Sequence, residues 1–344
     1  MKTVIISDAS QLDVAAEILQ KGGLVASPTE TVYGLCANAL NEEAVKSIYL
    51  AKGRPSDNPL IVHIADLNAL PELVQEISPI AKTLMEKFWP GPMTLIFKAS
   101  PIVPKIVTGG LDTVAIRFPS DPTITHLIKT SGLPLAAPSA NTSGKPSPTN
   151  FERVYEDLNG KIDCIIHGGS SHFGVESTVI DTTGDVATIC RPGGITLEML
   201  QEVLDDVMMD PALGHKLKQG EVPKAPGMKY THYSPNAEVI IVKGALADVA
   251  TKINALTKEQ QALGKKVGVM ATDETLTLFK ANKLISVGSQ DNPIEIASNL
   301  FEALRSFDDD QIDIVYSLSF NEEGIGMAIM NRLEKSAGYH IIQL

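Results

Sequence analysis

The stretch GLVASPTETVYGL, residues 23–35, joins a short apolar strand to a turn rich in hydroxyl groups. The strand candidate Gly23–Ser27 ends where that turn begins. A helical pattern precedes it, with Ser10 as the N-cap and Gly22 just past the end. A second helix is predicted to begin at Asn41. This alternation of short strands with helices predicts an α/β fold.

Short apolar segments that end at Gly, Pro, Ser or Thr recur along the first 200 residues and predict further strands. Helical patterns separate only some of them, so we expect a mixed, twisted sheet in which some neighbouring strands are antiparallel. The candidates are Leu60–Ile64, Thr94–Lys98, Val114–Phe118, Leu135–Ala137, Cys164–His167 and Thr178–Asp181.

A proline-rich segment, GEVPKAPGMKYTHYSPN, residues 220–236, interrupts the pattern and reads as an inter-domain linker or as a lid that carries chemistry. After it, strands and helices alternate cleanly, and a helix is predicted to begin at Asn292 with Pro293 in its first turn. This part predicts a smaller, Rossmann-like parallel α/β domain. Its strand candidates are Val239–Val242, Val267–Met270, Leu284–Val287 and Ile314–Leu318.

Composition narrows the class of protein. The chain has 344 residues, enough for two domains, and a net charge of 29 − 41 = −12. Sequence-independent binding along a nucleic-acid backbone needs broad positive surface, so this charge disfavours it. No apolar run is long enough to span a bilayer, and the start MKTVIISDAS shows no secretory signal. Three widely spaced cysteines argue against a disulfide framework, and together these features predict a cytoplasmic protein without membrane partners.

The usual phosphate-binding motifs are absent, because the sequence contains neither GxxxxGK[ST] nor GxGxxG. The segment KGRPSDNPL, residues 52–60, offers another way to hold phosphate. Lys52 and Arg54 provide a point charge and a planar fork one residue apart, which suits a polyphosphate. His63 follows on the next strand, where a lone histidine is more often structural than catalytic.

Two further clusters carry polar groups. Arg117 interrupts a strand that should be buried, so it needs an anion, either a side chain or a ligand carboxylate. The run APSANTSGKPS, residues 137–147, offers backbone N–H groups and hydroxyls to phosphate oxygens. In the opening turn, Thr29 and Thr31 are expected to satisfy backbone groups. No CxxC or HExxH occurs, so no metal site is predicted from protein motifs.

The order and spacing of these clusters resemble one family, the YrdC-like threonylcarbamoyl-adenylate synthases, in their longer form with an appended C-terminal domain. The segments PTETVYGL, KGRP, SDNPL, WPGPMT, RFP, APSAN and RPG follow one another in the family's order. The linker sequence APGMKYTHYSP resembles the longer form specifically. The resemblance implies a YrdC-like catalytic domain over 1–215, a linker or lid over 216–237 and a C-terminal α/β domain over 238–344.

The resemblance implies the condensation of L-threonine, bicarbonate and ATP, with Mg²⁺ carried by ATP, to threonylcarbamoyl-AMP and pyrophosphate. A downstream transferase complex would then modify tRNA next to the anticodon. The implied residues fall into three sets: a catalytic tetrad of Lys52, Arg54, Ser139 and Asn141; threonine contacts from Thr31, His63, Arg117, Ala137 and Ser177; and ATP contacts from Arg54, Asn58, Thr113, Ser139, Ser147, Arg191 and Tyr230.

Two other classes of protein compete with this interpretation. A concave basic face could hold double-stranded RNA without catalysis, although the net charge disfavours it. A different ATP-using enzyme, such as a carbamoyltransferase that acts through carbamoyl phosphate, could share the domain. The residues leave open which group, if any, acts as a base; His63 is one candidate.

Overall fold

The computed structural model describes residues 2–214 and 233–344. These residues form two compact units. Among the described residues, the first unit comprises 2–143, 147–172 and 176–214, and the second comprises 144–146, 173–175 and 233–344. Most of the predicted linker, and Tyr230 with it, lies outside the described residues, so the domain boundaries stay predictions.

The first unit is a mixed α/β structure. Its helices are α1 Leu12–Gln20, α2 Glu42–Lys52, α3 Leu70–Leu73, α4 Pro79–Phe88, α5 Lys105–Thr108, α6 Pro122–Ser131, α7 Phe151–Leu158 and α8 Leu197–Gln201. Its strands are β1 Val4–Ile6, β2 Val25–Ser27, β3 Gly34–Asn38, β4 Ile61–His63, β5 Met93–Lys98, β6 Thr113–Arg117, β7 Leu135–Ala136, β8 Cys164–Ile166, β9 Thr178–Asp181, β10 Ala187–Arg191 and β11 Val207–Met209.

These strands form one sheet in the order β1-β8-β2-β3-β7-β4-β6-β5-β9-β10-β11. The sheet contains both parallel pairs, such as β4 with β6, and antiparallel pairs, such as β5 with β6. The predicted mixed sheet is therefore confirmed.

Side-chain caps explain where several helices begin. Asn41 caps α2, because its side chain accepts the N–H groups of Glu43 and Ala44, as predicted. The prediction of Ser10 as an N-cap is wrong. Asp8 accepts the N–H of Ser10 and caps a short 3₁₀ turn, Ala9–Gln11, that leads into α1.

The two faces of the sheet are covered differently. The larger apolar core lies on one face and includes side chains of α2 and α4. On the opposite face, α1 and α6 pack together over a second core built on β2, β7 and β8. A small apolar cluster is formed by one side chain from each of β4, β5, β6, β9 and β10, namely Ile61, Ile96, Ala115, Val179 and Cys190.

The second unit is a three-helix, five-strand structure among its described residues. Its strands are β12 Glu238–Lys243, β13 Val267–Ala271, β14 Lys283–Ser286, β15 Ile314–Leu318 and β16 Ile341–Gln343, and its helices are α9 Leu246–Ala262, α10 Pro293–Asp309 and α11 Gly326–Ser336. The sheet order is β14-β13-β15-β12-β16 and all pairs are parallel. The predicted Rossmann-like parallel domain is confirmed, and α10 begins at Pro293 after Asn292 as expected.

Within residues 2–214 and 233–344, no helix is both long and apolar enough to cross a membrane. All three cysteines are unpaired and buried.

Candidate active site

One face of the first sheet carries a row of polar side chains across five neighbouring strands. Cross-strand register places His63 of β4 beside Arg117 of β6, and Arg117 beside Thr94 of β5. Val179 of β9 lies beside Thr94 on one side and Arg191 of β10 on the other. Paired residues of neighbouring strands project from the same face, so the four polar side chains line up there. We call His63, Arg117, Thr94 and Arg191 the polar row; all four are buried.

Arg117 lies at the centre of the polar row and has an ion-pair partner. Its Nη2 lies 2.8 Å from Oε1 of Glu30, and its Nη1 donates to the Thr31 hydroxyl at 2.8 Å. The side chains of Arg117 and Glu30 are only 4% and 9% exposed, so water barely screens the pair. The sequence left open whether the anion beside Arg117 is a side chain or a ligand carboxylate. In the structure it is the side chain of Glu30.

Glu30 is held as a carboxylate by its neighbours. Its Oε1 also accepts the N–H of Ser120 at 3.0 Å. Burial alone would raise the pKa of Glu30, but the charge of Arg117 and these hydrogen bonds outweigh burial, and the pKa lies below its usual value. The buried pair is therefore ionised at neutral pH.

His63 is neutral in this environment. Burial and the adjacent charge of Arg117 lower the pKa of His63 to about 3. The Nδ1 atom lies 3.2 Å from the carbonyl oxygen of Ile61. A neutral imidazole suits hydrogen bonding to a ligand better than proton abstraction near pH 7, where its basicity is too low.

A second group of polar residues surrounds the ammonium group of Lys52, the last residue of α2. Its Nζ donates to the carbonyl oxygen of Ser139, to that of Asn141 at 2.8 Å and to Oδ1 of Asn141 at 3.3 Å. The Ser139 hydroxyl donates to the same Oδ1 at 2.6 Å. Gly53, with φ of 62°, ends the helix in the left-handed conformation that favours glycine. The structure thus joins three of the four tetrad residues; we call them the lysine cluster.

Arg54, the fourth member of the tetrad, turns toward the loop before β4. Its Nη2 donates to the carbonyl oxygen of Asn58 at 3.4 Å, and its guanidinium carbon lies 6.0 Å from the centre of the Tyr49 ring. Asn58 is fully buried, and its side-chain amide has no hydrogen-bond partner within the described part of the chain. Buried amides are nearly always paired, so this group is equipped to receive a ligand.

Ser177 links two members of the polar row. Its hydroxyl lies 2.7 Å from that of Thr94 and accepts from Nη2 of Arg191 at 3.2 Å. Nε of Arg191 donates to the Ser177 carbonyl oxygen at 3.1 Å. Ser177, predicted to contact threonine, and Arg191, predicted to contact ATP, are therefore hydrogen-bonded to each other.

The remaining predicted residues take different places. Ala137 follows β7 and donates its N–H to the carbonyl oxygen of Ile61, beside the polar row. The Ser147 hydroxyl donates to Oε1 of Glu176 at 2.5 Å. Thr113 begins β6 and lies roughly 13 Å along the strand from Arg117, which ends it.

Position along β4 and β6 separates two residues predicted for ATP from two predicted for threonine. Asn58 and Thr113, predicted for ATP, lie where β4 and β6 begin. His63 and Arg117, predicted for threonine, lie where the same two strands end. Because β4 and β6 are parallel, these two pairs of residues lie at opposite ends of the strand pair, whereas Arg191, also predicted for ATP, lies at the end that carries Arg117.

Two residues of this site were not among those predicted. Glu30 pairs with Arg117, and Thr94 pairs with Ser177. The need of Arg117 for an anion was a signal for Glu30, since it is the one carboxylate in the PTETVYGL turn. Thr94 becomes visible only from cross-strand register, which the sequence does not contain.

No group of three or more His, Cys, Asp or Glu side chains that could hold a metal ion occurs among the residues that the structure describes.

Buried cations and hydroxyls thus line one face of the mixed sheet, and an unpaired buried amide lies in the loop before β4. Such groups are of the kind that bind carboxylates and phosphates in enzymes that act on small charged substrates.

Comparisons with known proteins extend this result to a family. A model of the Sua5, YciO and YrdC proteins, described as "Telomere recombination", matches residues 17–193. A second model, described as "Threonylcarbamoyl-AMP synthase, C-terminal domain", matches residues 195–338.

Similar proteins cover the chain from end to end. A threonylcarbamoyl-AMP synthase of Pyrococcus abyssi is 48% identical over 99% of this chain and 100% of its own length. One of Bacillus subtilis is 48% identical over 97% of this chain and 94% of its own. A crystal structure of P. abyssi Sua5 complexed with L-threonine has a TM-score of 0.94 and 46% identity and covers 100% of both chains.

The chain belongs to the threonylcarbamoyl-AMP synthase family, in the long form that carries a C-terminal domain. It is an enzyme, and the reaction of its family, the synthesis of threonylcarbamoyl-AMP, is of the nucleotidyltransferase type. The resemblance noted in the sequence is confirmed.

Proposed function

We propose that the chain condenses L-threonine, bicarbonate and ATP to threonylcarbamoyl-AMP and pyrophosphate in the site formed by the polar row and the lysine cluster. One observation carries the proposal: the buried Arg117 guanidinium donates to the Thr31 hydroxyl, and the cross-strand neighbour of Arg117 is Thr94, whose hydroxyl contacts Ser177 and, through it, Arg191. A cation that is buried among hydroxyls suits a small carboxylate that also bears a hydroxyl group, as threonine does.

Threonine would bind at the end of β4 and β6. Arg117 would take its carboxylate, while Thr31, His63 and Ser177 would surround the rest of the molecule. Because His63 is neutral, it can accept or donate a hydrogen bond without adding charge to the site. Ala137, beside the carbonyl of Ile61, would contribute backbone and a small side chain to the same pocket.

ATP would bind with its phosphates toward the lysine cluster. Lys52 and Arg54 would offset the charge of the phosphates, and Ser139 and Asn141 would fix the turn that faces them. Asn58, Thr113, Ser147 and Arg191 would contact the rest of the nucleotide. The Tyr230 contact is proposed on the resemblance, and a lid over residues 216–237 on the aromatic and basic residues of that segment and on the need to keep water from the carbamate.

The reaction would proceed in two steps. The ammonium group of threonine first gives up a proton to solvent. The free amine then attacks the carbon of bicarbonate; an N–C bond forms and water leaves, which gives a carbamate. A carbamate oxygen then attacks the α-phosphorus of ATP, and the bond from that phosphorus to the pyrophosphate oxygen breaks. Two anions meet in the second step, so positioning and electrostatic stabilisation by Lys52 and Arg54 would provide most of the rate.

Other partners follow from this reaction. Mg²⁺ would enter as the complex with ATP and offset charge on the transferred group. A downstream transferase complex would take the threonylcarbamoyl group from the product to tRNA, next to the anticodon. Unpaired, buried cysteines support a cytoplasmic location for the enzyme.

The test is an omission experiment on pyrophosphate release. With threonine, bicarbonate, ATP and Mg²⁺ present, we expect steady release, and we expect it to stop when any one of the four is withheld. Mass spectrometry should detect threonylcarbamoyl-AMP in the complete mixture alone. Release without threonine, or with threonine but without bicarbonate, would show that the enzyme catalyses a different reaction.

A further inference from the structure

The ion pair between Arg117 and Glu30 leaves one carboxylate oxygen unsatisfied. Oε2 of Glu30 is buried and has no hydrogen-bond partner within the described residues. Beside it, Nη2 of Arg117 is buried and lies 2.8 Å from Oε1 of Glu30. Buried polar atoms are almost always paired, so an unpaired carboxylate oxygen next to a buried guanidinium points to a ligand that brings both a positive and a negative group.

We propose that Glu30 is the second charged anchor of the amino-acid site: it binds the α-ammonium group of the amino acid while Arg117 binds the α-carboxylate. The inference rests on the proposed function and deepens it, because it names the group that selects a zwitterion. Glu30 is thereby a specificity-determining residue for α-amino acids as a class.

The charge order supports this arrangement. An α-amino acid carries its ammonium and carboxylate groups on the same carbon atom, so the two charges lie side by side. The Arg117–Glu30 pair likewise presents a positive and a negative group 2.8 Å apart. Docked side on, the four charges alternate in sign around a ring, and each ligand charge meets a protein charge of opposite sign.

The second carboxylate oxygen of Glu30, Oε1, holds the carboxylate in a fixed orientation. Oε1 accepts the N–H of Ser120 and contacts Arg117, so the carboxylate cannot rotate without losing both. Oε2 is therefore presented by a preorganised group, and ligand binding needs little reordering.

The test combines one variant with one ligand analogue. The analogue is 2,3-dihydroxybutanoate, which keeps the carbon skeleton and carboxylate of threonine but has a hydroxyl in place of the ammonium. By calorimetry on the full chain, we expect threonine to bind about 10- to 100-fold more tightly than the analogue, the range of one charged hydrogen bond. Equal affinity of the unaltered chain for both ligands overturns the proposal.

The variant is Glu30→Gln, which keeps the shape of the side chain and an oxygen for the Ser120 N–H. We expect threonine to bind about 10- to 100-fold more weakly, and the analogue to change less than about threefold, so that the preference disappears. A folded Glu30→Gln protein that keeps the preference overturns the proposal. Should this variant fail to fold, Glu30→Asp replaces it: we expect a reduced preference, and an unchanged one counts against Glu30.

A matched control is Asp210→Asn. Asp210 is also a buried carboxylate that accepts a backbone N–H, that of Ala212 at 2.9 Å. We expect this variant to keep the full preference for threonine. The omission experiment on pyrophosphate release distinguishes failure of the proposed function from failure of the proposed role of Glu30. If release needs all substrates and Glu30→Gln keeps the preference for threonine, the role of Glu30 is rejected and the proposed function stands.

Discussion

Replacing Lys52 with methionine is the sharpest test of the lysine cluster. The side chain is 2% exposed, and its ammonium group donates to two backbone carbonyls and one side-chain oxygen. Methionine keeps most of the length and removes the charge and all three donors. The carbonyls of Ser139 and Asn141 would then lose this donor in a buried place.

The structure sets the scale of two separate losses. A hydrogen bond from a charged donor contributes about 1.5–3 kcal/mol, so loss of the two carbonyl contacts should lower the free energy of unfolding by about 3 kcal/mol or more. Loss of a positioned cation beside the reacting phosphate should lower turnover at least ~100-fold. The first loss is measured from the urea midpoint, and the second from pyrophosphate release at saturating substrates on folded protein.

A control on the same helix separates these effects from a general effect of removing a lysine. Lys46 is exposed and pairs only with Glu42 and Glu43 among the partners that the structure records. Lys46→Met should change stability by less than about 0.5 kcal/mol and leave turnover unchanged. Near-normal turnover in Lys52→Met would remove the lysine cluster from the mechanism.

Three further predictions concern other parts of the first unit. The pKa of His63 falls from 6.5 to about 3 on folding, so the stability contributed by neutral His63 is complete above pH 6.5 and is lost as pH falls toward 3. Between pH 7 and pH 4.5, the urea midpoint of the unaltered enzyme should therefore fall more steeply than that of His63→Gln. Burial raises the pKa of Cys36 to about 12, so a thiol reagent should modify it in urea and not in the native enzyme. A Cβ on Gly193 would collide with the backbone of Thr178, so Gly193→Ala should cost about 1–3 kcal/mol, whereas Gly184→Ala, in open space, should be neutral in thermal unfolding.

Local signals in the sequence were enough to find many of the elements. Asn41 and Pro293 predicted where α2 and α10 begin, because capping and the fixed φ of proline act within one turn. The strand β3, Gly34–Asn38, was missed, since GLCAN contains no β-branched residue and follows a turn. Its pairing with β2 and β7 stabilises it, and that information is tertiary.

The site was predicted as a set of residues but not as an arrangement. Chemistry alone required an anion for Arg117, yet it could not choose between Glu30 and a ligand. The polar row depends on register between strands that are far apart in the chain, such as His63 with Arg117. Register follows from packing of the whole sheet, so one sequence without structure does not reveal it.

The wholly parallel sheet of the second unit has a consequence for biosynthesis. β12 emerges first, yet its two neighbours in the sheet are β15 and β16, the last two strands to be made. Parallel neighbours cannot be joined by a tight hairpin, so β12 has no early partner with which to pair. We expect the sheet of this unit to stay incomplete until residues 341–343 have left the ribosomal exit tunnel. The antiparallel β5–β6 and β9–β10 pairs of the first unit can instead form during translation.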